Sequence, residues 1–100
     1  MDIKYFYSQI MEELHGARDY AERALAVNTS HPDWSKMFAE MSTVELSHAS
    51  NLFKIMSDYC NNNLKEDGTM PRWLCDTKTN TAEYLAEESA KIKRLHEMLK

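Results

Sequence analysis

Glu13, Glu45 and His48 stand where a packed helical chain should carry apolar side chains, and two carboxylates with an imidazole can hold a metal ion. The core face of a helix follows alternating steps of three and four residues. One such seam runs through positions 3, 6, 10, 13, 17, 20 and 24, and Glu13 is its one member that is neither apolar nor aromatic. A second runs through 34, 38, 41, 45, 48, 52, 55 and 59, broken at Glu45 and His48. Leu14 and Val44 keep the surroundings apolar. Burying an unpaired carboxylate is costly, so three polar positions on two seams call for one explanation.

A divalent cation offsets that cost. Carboxylate oxygen with imidazole nitrogen suits iron or manganese, and zinc less exclusively. One chain supplies few ligands for a buried cation; two chains related by a two-fold axis supply four carboxylates and two imidazoles. That set matches the di-iron inventory of helical bundles, in which two helices each give a Glu and two others each give Glu-x-x-His. Glu12 is the register alternative to Glu13 but lies off the seam. His15 is expected at the surface, His31 flanking or capping the second helix, and His96 exposed. Glu88 falls on an apolar stripe between Leu85 and Ile92; a marginal surface position is expected for it, with an extra ligand as the alternative.

Positioning these groups requires two antiparallel helices. Periodicity predicts helices over about 2–27, 33–60 and 81–99, with a connector over 61–80. Pro32 suits the first turn of the second helix, and Asn80 with Glu83 resembles a capping box at the start of the third. Glu13 lies roughly 21 Å before the first interhelical turn and Glu45 roughly 18 Å after it, at 1.5 Å per residue. The two carboxylates therefore share one level of the hairpin, with His48 a turn further along the same face.

The bulk properties agree with an all-α chain. It has 100 residues, enough for one domain, with only 2 Gly and 2 Pro and 43% hydrophobic residues. A net charge of -4 argues against a nucleic-acid partner. No run approaches the ~20 apolar residues of a membrane span. Residues 1–7 lack the pattern of a signal peptide, so a cytoplasmic setting is expected. Cys60 and Cys75 form no C-x-x-C motif; free thiols are expected, and a disulfide between them stays open. The 7 Met residues read as core filler.

From Glu13 to Tyr20 the chain resembles the first-helix pattern of the ferritin-like superfamily, within it that of rubrerythrin-type and encapsulated-ferritin-type sequences: a ligand Glu with a Tyr seven residues later. From Phe38 to Ala49 it resembles the second-helix pattern, a Phe seven residues before the Glu of Glu45-x-x-His48. The likeness covers residues 1–60. It implies that Glu45 bridges two irons, that Glu13 and His48 are terminal ligands, and that Tyr20 is a core residue near the site. Members with four helices repeat the whole pattern in one chain. This chain has a single Glu-x-x-His, so the resemblance implies a homodimer, or an assembly of dimers, in which two helical hairpins form one four-helix bundle around two Fe ions. The implied activity is that of a ferroxidase, with dioxygen or peroxide as oxidant and Glu13, Glu45 and His48 as the working residues. A reading of a different class is a helical structural or interaction protein that keeps the fold without turnover.

Overall fold

Heptad-spaced apolar residues fold the chain into three helices in a computed structural model, which describes residues 3–100. They are α1 (Ile3–Ala26), α2 (Pro32–Asn61) and α3 (Arg72–Glu97), and no strand occurs among the described residues. The expected start of the first helix at residue 2 lies outside the described residues. Pro32 opens α2, where a missing N–H leaves no helical hydrogen bond unmade, and Asp33 in that first turn complements the helix dipole. His31 holds the cap position without a side-chain capping bond; its ring stacks on Trp34 with centroids 3.7 Å apart. At the other end the Asn63 amide donates to the Tyr59 carbonyl at 2.7 Å.

α1 and α2 form an antiparallel hairpin joined by two matching rungs. The Ser35 hydroxyl donates to the Ala24 carbonyl at 2.7 Å, and the Ser42 hydroxyl to the Ala17 carbonyl at 2.6 Å. These contacts correct the expected seams. α1 buries Leu14 and Ala21 rather than Glu13 and Tyr20, and α2 buries Ser35, Ser42, Ala49, Met56 and Cys60. Small residues let the helix backbones approach, and α1 carbonyls satisfy the serine hydroxyls, so polar atoms line this seam at little cost. Trp34, Met41 and Ile55, expected in the core, are exposed instead. They share a seven-residue spacing with His48, and Met37 and Val44 are exposed on the same helix. The result is a long apolar stripe on α2 that this chain does not cover.

α3 packs against both other helices and runs parallel to α1. The backbone N–H of Lys100 donates to the Asn28 side chain at 3.0 Å, which holds the end of the chain beside the α1–α2 turn. α3 begins at Arg72, not near Thr81, because Leu74 in its first turn is fully buried and anchors it. Asn80 and Glu83 are therefore interior helical residues, not a cap. The connector shrinks to residues 62–71, which turn at Gly68, where a φ of 84° favours glycine. Asp67 accepts from the Thr69 hydroxyl at 2.6 Å in the same turn. Cys60 is a buried free thiol and Cys75 an exposed one. Among the described residues, no helix is long and apolar enough to cross a membrane.

Candidate metal centre

Glu13 on α1 and Glu45 with His48 on α2 converge at the edge of the hairpin, on the side that bears the uncovered stripe. One ligand atom from each lies within 4.8 Å of the others. His48 turns its Nδ1 toward both carboxylates, 3.4 Å from Glu13 Oε2 and 4.0 Å from Glu45 Oε2. The carboxylate side chains are 23% and 28% exposed, whereas that of His48 is 52% exposed. Thus the trio lies at the rim of the seam, not inside it as the periodicity suggested, and its open side faces outward. Glu45 rests against α1 at Gly16, where an added Cβ would stand 3.7 Å from its carboxylate carbon.

Glu13 Oε2 is buried yet has no hydrogen-bond partner among the described residues. A buried acceptor without a donor costs about 1–3 kcal/mol, more when charged. A cation bound between the three side chains removes that cost. Two carboxylates and an imidazole fit iron or manganese by donor chemistry, and they amount to half of a di-iron set. A groove of about 290 Å³ adjoins the trio, lined among others by Glu12, Glu13, Asp19, Tyr20 and Glu45. Glu12 thus borders the site from an exposed position, while Glu13 faces His48. Tyr20 is half-buried and stacks on Phe38, centroids 6.2 Å apart and rings tilted by 17°. That pair spans α1 and α2 beside the groove.

Two residues lie elsewhere than expected. Glu88 is buried, not marginal, and forms no part of the trio. Its carboxylate sits 3.7 Å from Arg18 and 3.5 Å from Lys91, so two half-exposed cations make its burial tolerable. His96 is half-buried, with Nε2 2.8 Å from the Ser42 hydroxyl. Periodicity places Glu88 on the α3 stripe but shows neither that Arg18 of α1 reaches it nor that His96 meets Ser42 of α2. Glu88→Gln should leave metal content unchanged while lowering stability by about 1 kcal/mol, since solvent already screens Arg18. Metal analysis beside a urea melt checks this; loss of half the metal would place Glu88 in the site.

An all-helical chain that gathers Glu, Glu and His on one helical pair has the architecture of a ferritin-like protein. The rubrerythrin family model matches residues 7–99. The chain therefore belongs to the rubrerythrin family of ferritin-like di-iron carboxylate proteins. No curated protein and no solved structure matches it significantly.

Proposed function

We propose that this protein is an oxidoreductase of ferroxidase type, with its di-iron site shared between two copies of the chain. The observation that carries the reading is the half-set itself: Glu13, Glu45 and His48 meet around a buried oxygen that makes no hydrogen bond, and open beside an uncovered apolar stripe. A second copy, seated on that stripe by a two-fold axis, supplies the other two carboxylates and imidazole. Glu45, resting on α1 at Gly16, would hold the metal from the middle of the site. Glu13 and His48 would hold it from either side, His48 through the Nδ1 atom that it turns toward both carboxylates. Iron held there would supply redox chemistry, with dioxygen or peroxide as the oxidant. The residues keep both oxidation states bound, because carboxylates are hard anionic ligands. Apolar side chains from both copies exclude bulk water.

Protein prepared without chelator should contain two iron ions per dimer, or bind them on anaerobic addition of Fe(II). Addition of oxidant should then give Fe(III) faster than buffer alone does, as followed by near-ultraviolet absorbance. Metal-free protein that also fails to bind added Fe(II) would leave the non-catalytic assembly as the better reading.

A further inference from the structure

His96, Ser42 and Ala17 join all three helices in one hydrogen-bonded line. The Ser42 hydroxyl is fully buried, 2.6 Å from the Ala17 carbonyl oxygen and 2.8 Å from His96 Nε2. A hydroxyl has one proton to give, and a carbonyl can only accept. Ser42 therefore donates to Ala17 and accepts from His96, which must carry its proton on Nε2. Burial pushes the His96 pKa below its ordinary value, which keeps the ring neutral near pH 7. The direction of the line is thus set from α3 through α2 to α1.

Its place in the fold gives it a use. Ser42 is one helical turn before Glu45 on α2, and Ala17 is one turn after Glu13 on α1. The line crosses the hairpin about 5 Å from the level of Glu13 and Glu45, at a rise of 1.5 Å per residue. Apolar packing alone allows helices to slide, whereas a short hydrogen bond to a backbone carbonyl fixes their axial offset. Site geometry is sensitive to displacements of about 0.5 Å.

We propose that His96 and Ser42 are positioning residues for the Glu13–Glu45–His48 cluster, holding α1 and α2 in the register that brings its ligand atoms together. This rests on the metal reading given above. Ser35 is the internal control. Its hydroxyl also donates to an α1 carbonyl, that of Ala24, and also accepts from a side chain, the Asn28 amide at 3.0 Å. Ser35 lies two turns further from the cluster than Ser42, so it pins the hairpin without setting the ligands.

The test is Co(II) binding, followed by its visible ligand-field bands, beside urea melts of the same proteins. Ser42→Ala should weaken Co(II) binding about tenfold, the lower end of what supporting residues contribute to metal affinity, and should shift the bands. Ser35→Ala should lose a similar amount of stability, yet bind Co(II) within about twofold of wild type with unchanged bands. His96→Leu leaves the Ser42–Ala17 bond but removes the donor that holds the hydroxyl, so it should weaken Co(II) binding and shift the bands in the same direction by a smaller amount, while His96→Gln, which keeps an N–H donor, should recover most of the affinity. The His96 pair carries the test if Ser42→Ala does not fold. Equal affinities and bands in wild type, Ser42→Ala and His96→Leu would reduce the line to a stabilising contact and overturn the proposal. Wild-type protein that binds no Co(II) or Fe(II) would instead overturn the metal reading, and the positioning role with it.

Discussion

Glu45→Ala is expected to abolish the rise in melting temperature that Fe(II) or Mn(II) produces in the wild-type protein. In the proposed dimer Glu13 and Glu45 occur twice in one layer, and four carboxylates gathered there would repel one another. In one chain alone Glu13 Oε2 is already buried without a hydrogen bond. A divalent cation bound to the folded state offsets both costs. Binding of this kind stabilises by RT ln(1 + [L]/Kd), about 2.7 kcal/mol at a hundredfold excess over Kd. In an assembly of two such chains this corresponds to a rise of several degrees. Glu45→Ala removes one proposed ligand from each copy at once, so the proposed site loses two of its four carboxylates. The same change removes repulsion, and the metal-free variant should melt at or above metal-free wild type. Anaerobic melts of both proteins, with and without metal, decide the matter. If the metal shifts neither protein, or both equally, the site is not a metal site and the chain is an assembly module.

The expectation about Glu45 could be formed from sequence because the ligand trio breaks an apolar pattern, and such breaks can be read without coordinates. The helices were readable for the same reason, since α1 and α2 carry sustained heptads. Their orientation was less so. Ranking positions by hydrophobicity selects Trp34, Met41 and Ile55 for the α2 seam, but the seam is lined by Ser35, Ser42 and Ala49. Serine is buried there because α1 offers carbonyl acceptors at the matching height, a property of the pair and not of either helix. α2 in fact has two low-polarity faces, one of small residues against α1 and one of large residues left open. The three candidate ligands lie at the margin between them, so a rotation of the seam by one position still leaves them together.

Residues supported from a distance were harder to place. Glu88 looked like a surface lapse in the stripe of α3, because nothing near it in sequence announces that Arg18 reaches it from α1. His96 looked like an exposed helical residue, because its partner is Ser42 on another helix. The early start of α3 was masked by composition. Between Arg72 and Asn80 only Leu74 is fully buried and Trp73 is exposed, so that stretch has no amphipathic period, while Asn80 and Glu83 imitate a cap. Leu74 alone, docked against the shared core, extends the helix past them.

Met41→Lys is expected to convert a dimer into monomers without unfolding the hairpin. Trp34, Met41, His48 and Ile55 recur every seven residues along α2 and are all exposed in the single chain. In an isolated hairpin this change places a charge on an already solvated face, where substitutions usually cost within about 0.5 kcal/mol. In the proposed dimer it buries an unpaired ammonium between two apolar stripes, once from each copy, at several kcal/mol per ion. The dissociation constant should rise by more than a hundredfold, about 2.7 kcal/mol. Sedimentation velocity at micromolar concentration should show wild type as a dimer or larger assembly and Met41→Lys as a monomer, with equal helical content by circular dichroism. Fe(II) oxidation should fall with the dimer, because each half-site keeps Glu13, Glu45 and His48 but loses the facing set. Glu45→Ala should remain dimeric and lose the metal, so the two variants separate assembly from ligation. Wild type that sediments as a folded monomer would end the shared-site proposal. So would a Met41→Lys protein that stays dimeric and oxidises Fe(II) at the wild-type rate, since the α2 stripe would then not be the surface on which the second copy sits.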